Sequence, residues 1–291
     1  MKCTIVVGYD GSEHAAQAVV FAAAEAEKRD APLLLVHAFT PPMGGAGLGY
    51  GAILPADALE TMRDGIATNM EDDVSRIRAQ HPNLTIESTV ILGNSAAVLL
   101  EQAEDAQLLV VGSRGLGGFR GMLLGSTGIQ VASHASCPVV VVRAMPADAP
   151  RRVVVGVDGS DLSQAALAWG FDYASRHGMT LNAVHAWTIP SFDLLAAPAG
   201  PAPVDVDTIT EEEQRSAAES LAGFRDRYPD VAVEETVVKE SATKALLEAA
   251  KDASLVVVGT HGRGEVMAAV LGSVSQALLR KAEVPVVVVG T

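Results

Sequence analysis

The chain has 291 residues, 49% hydrophobic but only 4% aromatic, so it is not disordered and its core, one large domain or two ordinary ones, is aliphatic. With 35 acidic and 21 basic residues it carries a net charge of −14, a surface that disfavours nucleic acid and acidic membranes as partners. Cys3 and Cys137 cannot form a disulfide framework, no signal-peptide pattern opens the chain, and no apolar run is long enough to span a bilayer, so a cytoplasmic protein is expected.

In chain order, short β-branched runs alternate with stretches of helical period. The runs of the first half are 4–7, 33–37, 84–91, 108–111 and 139–142. Those of the second half are 153–157, 181–186, 231–238, 255–258 and 286–289. Unbroken apolar runs suit strands buried on both faces of a parallel sheet. The helical stretch Glu13–Arg29 places Ala16, Val20, Ala23 and Ala24 on one side, and Asp161–His177 does the same with Ala165, Ala168 and Trp169. The Gly/Pro-rich stretches 40–55 and 187–207 read as flaps or interface loops.

The two halves repeat one another. VVGYDGS at 6–12 returns as VVGVDGS at 154–160, LLVVGSRG at 108–115 as LVVVGTHG at 255–262, and CPVVVV at 137–142 as VPVVVV at 284–289. The offset is 148 between Asp10 and Asp158 and 147 between Gly112 and Gly259. A near-constant, domain-sized offset means two copies of one domain. The expected organisation is a first domain over 1–145, a linker over 146–151 containing Pro146 and Pro150, and a second domain over 152–291. Each domain is expected to be a doubly wound α/β fold with five parallel strands.

The duplicated signals fall at the carboxyl ends of strands, where open parallel sheets bind ligands. Asp10-Gly11-Ser12 and Asp158-Gly159-Ser160 follow the first strand and stand where a helix needs a capping oxygen. The fourth strand runs into Gly112-Ser113-Arg114-Gly115 in one copy and Gly259-Thr260-His261-Gly262 in the other. Beyond these come Gly125-Ser126 and Gly272-Ser273, each opening a helical pattern. Glycines let the backbone approach a ligand closely or take positive φ, and a helix start presents unpaired N–H groups with partial positive charge. Together with a serine hydroxyl they make a phosphate cradle that needs no lysine. The two aspartates suit a ribose hydroxyl or a base amine instead.

The array G-x2-G-x9-G-[ST], joined to D-G-S after the first strand and to the last P-V-V-V-V strand, resembles the universal stress protein family in its tandem form. The resemblance implies an adenine-nucleotide-binding topology, ATP as ligand with Mg²⁺, and a homodimer. It implies that Val36 and Val184 offer backbone to adenine and that Asp10 and Asp158 face the adenosine end. Gly112, Gly115, Gly125 and Ser126 would hold phosphates and ribose in one copy, and Gly259, Gly262, Gly272 and Ser273 in the other. The family's G-S-V-[ST] continuation is kept as Gly272-Ser273-Val274-Ser275, whereas the first copy reads Gly125-Ser126-Thr127-Gly128. Without the last hydroxyl, although Thr127 can substitute, the first copy is expected to bind nucleotide more weakly. Arg114 and His261 hold matching positions from which each can meet a phosphate.

Other chemistries are disfavoured. There is no G-x4-G-K-[ST], no G-x-G-x-x-G after a first strand, and no H-x3-H or C-x2-C pair. Ser113 and Thr260 read as loop hydroxyls, His37 and His185 as structural histidines, Cys137 as a packed apolar residue, and Glu211–Glu213 as a solvated helix start. The uncharged runs Val139–Val142 and Val286–Val289 invite strand pairing, between the halves or between two chains. The expected function is an ATP-binding regulatory or stress-adaptation protein with slow or no hydrolysis and an unknown protein partner. The alternatives are a nucleotide-free adaptor dimer and an adenylating enzyme.

Overall fold

The computed structural model describes residues 4–40, 56–115, 124–145, 150–189, 205–262 and 271–290. Cys3, most of the 40–55 and 187–207 stretches and most of the 146–151 segment lie outside the described residues. The chain divides into two units, Met1–Ala144 and Met145–Thr291.

In the first unit, β1 (Thr4–Gly8), α1 (Glu13–Arg29), β2 (Leu33–Phe39), α2 (Ala56–Gln80), β3 (Ile86–Leu92), α3 (Ser95–Gln102), β4 (Ala106–Gly112), α4 (Ser126–His134) and β5 (Val139–Val142) follow in order. The strands pair in parallel as β3-β2-β1-β4-β5. The second unit repeats the pattern with β6 (Arg152–Val157), α5 (Asp161–His177), β7 (Thr180–Trp187), α6 (Val206–Arg227), β8 (Val233–Lys239), α7 (Ala242–Ala250), β9 (Leu255–Gly259), α8 (Ser273–Lys281) and β10 (Val286–Val289). Its parallel pairing is β10-β9-β6-β7-β8. In each unit the order reverses beside the first strand, between β1 and β4 and between β6 and β9. A crevice opens at such a point because the flanking crossovers leave on opposite faces.

The central strands are buried on both faces: Ile5, Val6, Val7, Leu108, Leu109 and Val110 are all inaccessible to solvent. Helix α1 begins at Ser12, whose hydroxyl accepts from Ala15 N at 3.1 Å. It ends at Asp30, which takes a left-handed φ of 50° where Gly178, with φ 59°, ends α5. The inward face of α1 is Ala15, Ala18, Val19, Ala22, Ala23 and Ala26, while Ala16 and Val20 face solvent. That corrects the expected phase. Alanine occupies both sides of this helix, so the sequence offers little contrast between them. In α5, Trp169 is buried as expected, but Ala165 and Ala168 are only half-buried.

Helix α6 begins at Val206, capped by Asp205, whose Oδ1 accepts from Asp207 N at 3.1 Å and Thr208 N at 3.2 Å. Glu211–Glu213 is therefore one turn inside α6 rather than at its start. The Thr208 bonds hold the exposed Asp205 carboxyl below its usual range. Among the described residues, no helix is long and apolar enough to cross a membrane.

Candidate functional site

Each unit has a cavity at its order reversal. In the second unit it measures about 250 Å³ and lies between the ends of β6, β7 and β9, the first turn of α8, and Leu246 of α7. In the first unit it measures about 110 Å³ and is bounded by the corresponding elements, with Leu99 in the place of Leu246.

The D-G-S segments build one wall. Asp158 Oδ1 accepts from Ser160 N at 3.0 Å and from Ser160 Oγ at 2.6 Å, and Ser160 Oγ accepts from Ser163 N at 3.2 Å. Asp10 Oδ1 accepts from Ser12 N at 3.0 Å in the same way. The serine is thus the helix cap, and the aspartate folds the turn that presents it. Gly11 and Gly159 supply the left-handed backbone of that turn, with φ 81° and 78°. They do not line the cavities; Asp10 and Asp158 do.

Among the described glycines of the fourth-strand array none has positive φ, so of the two uses expected of them, positive φ and close approach, these glycines do not take the first. Their absent side chains matter instead. A Cβ on Gly112 would approach His14 C to 2.7 Å, and one on Gly259 would approach Leu162 Cβ to 2.9 Å. A Cβ on Gly115 or Gly262 would collide with Oδ2 of Asp10 or Asp158. These glycines let the strand end, the aspartate and the helix start share one small space.

The helix starts α4 and α8 form the opposite wall. The N–H groups of Gly125 and Gly272 are already used, each donating at 2.8 Å to Ser113 O or Thr260 O. As N-caps they have no side chain to offer, so neither first turn has a side-chain cap. The following amides, 126–128 in α4 and 273–275 in α8, are those a bound acceptor would satisfy. Ser273, Val274 and Ser275 all line the second cavity; Thr127 and Gly128 line the first, but Ser126 does not. Ser275 Oγ donates to Gly259 O at 2.7 Å. The hydroxyl missing at Gly128 thus ties helix start to strand end in the second unit. Arg114, Val36 and Gly115 line the first cavity; His261, Val184 and Gly262 line the second.

The two units differ most where the first strand ends. Tyr9 lines the first cavity, and its hydroxyl bonds to Asp73 Oδ2 of α2. Val157 holds the same place in the second. Burial, then the bond to Asp73 and its charge, push the Tyr9 hydroxyl up to about 12. Between pH 10 and 12 the unfolded chain loses this proton while the folded chain keeps it, so that stability contribution is lost as pH rises through this window. Alkaline unfolding followed by circular dichroism checks this: Tyr9→Phe is expected to show a smaller stability loss across the window than the unchanged chain.

His185 is buried, with Nδ1 2.9 Å from Val157 O and Nε2 2.7 Å from Glu213 Oε2, which ties β7 to β6 and α6. That agrees with a structural role. His37, its counterpart, is half-buried; desolvation lowers its pKa, and the charge of Asp10 opposes that shift. Cys137 is buried. Leu99, Leu246, Ser95 and Ala242 line the cavities without any motif to announce them. Their common offset of 147 between the copies is the signal that could have found them.

A family model described as the universal stress protein family matches residues 2–143 and again 150–290. The chain belongs to the universal stress protein family. A universal stress protein of Mycolicibacterium smegmatis is 38% identical over 292 residues, covering 98% of this chain and 96% of the relative. A universal stress protein of Archaeoglobus fulgidus has a solved structure that superposes with a TM-score of 0.70 at 18% identity, over 99% of this chain and 98% of its own. A universal stress protein solved in complex with cAMP aligns with 48% of this chain and 96% of its own, at 28% identity and a TM-score of 0.36. The double match accords with the tandem form of the universal stress protein fold, and each unit carries the α/β architecture expected of it.

Proposed function

We propose that this universal stress protein binds ATP in the cavities of its two units and acts through occupancy, with slow or no hydrolysis. The observation that carries the reading is the pair of helix starts, α4 and α8, that open into a cavity at the order reversal without a side-chain cap. Such a start offers amides and a positive dipole end to an anion, which suits a triphosphate inside a protein of net charge −14. The residues present fit that ligand. Ser273 and the 273–275 amides would take phosphate oxygens, His261 and Arg114 stand on the same walls, and Asp158 and Asp10 would take hydroxyl or amine donors of the nucleoside. Among the described residues, no three metal-ligating side chains cluster. Any Mg²⁺ would therefore be held largely by the phosphates, with at most a carboxylate or two from the chain, and would supply charge neutralisation.

Two further parts of the reading, a homodimer and a protein partner that senses occupancy, follow from the family resemblance rather than from a surface described above. Calorimetric titration of the full chain with ATP, with and without Mg²⁺, tests the binding. Asp158→Ala is expected to weaken the tight site about tenfold or more, the loss of one hydrogen bond to a charged group. Turnover is expected below about 1 s⁻¹, the low end for enzymes. No heat of binding at millimolar ATP contradicts the proposal.

A further inference from the structure

The two cavities are copies of one design, but their walls are not equivalent. The first is less than half the size of the second, at about 110 Å³ against about 250 Å³. Most lining exchanges between the copies are small. Ala15 corresponds to Ser163, Ser95 to Ala242 and Gly128 to Ser275, and the smaller residue is in the first copy in two of these three. Those two would enlarge the first cavity. Ser95 for Ala242 and Arg114 for His261 work the other way, and the largest change in that direction is at the first-strand end, the phenol ring of Tyr9 for the isopropyl group of Val157.

The ring is not free to swing aside. Its hydroxyl is bonded to Asp73 Oδ2, and Asp73 Oδ1 accepts from Arg76 Nη1 at 2.5 Å. A hydrogen bond to an ionised carboxylate is roughly twice as strong as one between neutral groups. At the matching described position the second unit has no carboxylate. Buried Met70 and Val74 of α2 match buried Ala217 and Leu221 of α6 at an offset of 147, which puts Ser220 in the register of Asp73. Ser220 Oγ donates to Ser216 O on its own helix, at 2.9 Å.

We propose that Tyr9, anchored by Asp73, is a specificity-determining residue that restricts the first cavity, so that a nucleotide fills the second unit well before the first. This rests on the nucleotide reading above and adds the cause of unequal occupancy, which lies in the nucleoside end of the cavity rather than at the missing helix-start hydroxyl. The chain would then respond to nucleotide in two concentration ranges.

Calorimetry of the full chain with Mg·ATP separates the possibilities. The unchanged chain is expected to bind one tight equivalent and a second at least about tenfold weaker. Tyr9→Val should bring the second equivalent to within about threefold of the first. Asp73→Asn, which keeps the ring but weakens its anchor, should strengthen the second equivalent by less than Tyr9→Val does. Val157→Tyr combined with Ser220→Asp, which rebuilds the anchored ring in the second unit, should weaken the tight equivalent by about tenfold, and it is an independent readout if Tyr9→Val fails to fold. In an Asp158→Ala background, the Tyr9→Val gain should persist, because it belongs to the first unit. Two equal equivalents in the unchanged chain, or a folded Tyr9→Val protein with unaltered isotherms, overturn the inference while leaving nucleotide binding intact. Absence of ATP binding in every variant removes the nucleotide reading, and the inference with it.

Discussion

Arg29→Ala is expected to destabilise the first unit by about 3–5 kcal/mol, the cost of breaking a buried ion pair from one side. Arg29 Nε donates to Glu25 Oε2 at 2.9 Å, and the two side chains are only 9% and 1% exposed. Truncating the arginine removes the guanidinium from beside the buried Glu25 carboxylate. The second unit fills the same positions without a carboxylate–guanidinium pair: Tyr173 and His177 occupy the corresponding places and stack with ring centroids 4.2 Å apart. That difference yields a control. Replacing Glu25 and Arg29 together by leucine removes both charges and is expected to recover most of the loss, since apolar substitutes for buried pairs are often neutral or stabilising. The measurement is favoured by composition, because both tryptophans, Trp169 and Trp187, belong to the second unit. Urea unfolding followed by far-ultraviolet circular dichroism should show an early transition in Arg29→Ala that tryptophan fluorescence does not follow. Superimposable curves for Arg29→Ala and the unchanged chain would show that the pair contributes nothing.

Gly112→Ala is expected to cost the first unit about 1–3 kcal/mol, the usual penalty for overpacking, and to lower its melting temperature by roughly 3–10 °C. The added Cβ would meet His14 C at 2.7 Å, His14 O at 2.8 Å and Ala15 N at 2.9 Å, all backbone atoms of the first turn of α1. That turn is held by Ser12 and Asp10 and cannot withdraw without loosening both. Gly259→Ala should cost a similar amount, because its nearest neighbours, Leu162 Cβ at 2.9 Å and His261 O at 3.0 Å, are also fixed by the backbone. Asp10 and Gly112 both line the first cavity, so Gly112→Ala should also weaken ligand binding there. Thermal melts read by circular dichroism and by tryptophan fluorescence separate the two units. An unshifted dichroism melt for Gly112→Ala would contradict the packing role given to this glycine.

The strands were legible because buried parallel strands tolerate unbroken β-branched runs, and the duplication supplied an internal check on each one. The cavities were legible for the same reason, since Asp10, Gly112 and their copies mark strand ends that the topology brings together. The phase of α1 was not legible, because alanine on both faces leaves little contrast between them. The start of α6 was hidden beside a Gly/Pro-rich stretch, where Asp205 is one polar residue among many. The roles of Gly115 and Gly262 depend on an aspartate oxygen brought from the first strand, a contact that no local spacing reveals. The bonds from Tyr9 to Asp73 and from His185 to Glu213 join a strand to a distant helix, so only the fold discloses them.

Residue-resolved amide exchange of the full chain, with and without Mg·ATP, tests most directly whether backbone groups hold the phosphates. With ATP bound, the amides of Ser273, Val274 and Ser275 at the uncapped start of α8 are expected to become markedly protected, while those in the middle of α5 stay unchanged. Saturating ATP that leaves these three amides exchanging as they do without ligand would contradict that role for the helix start.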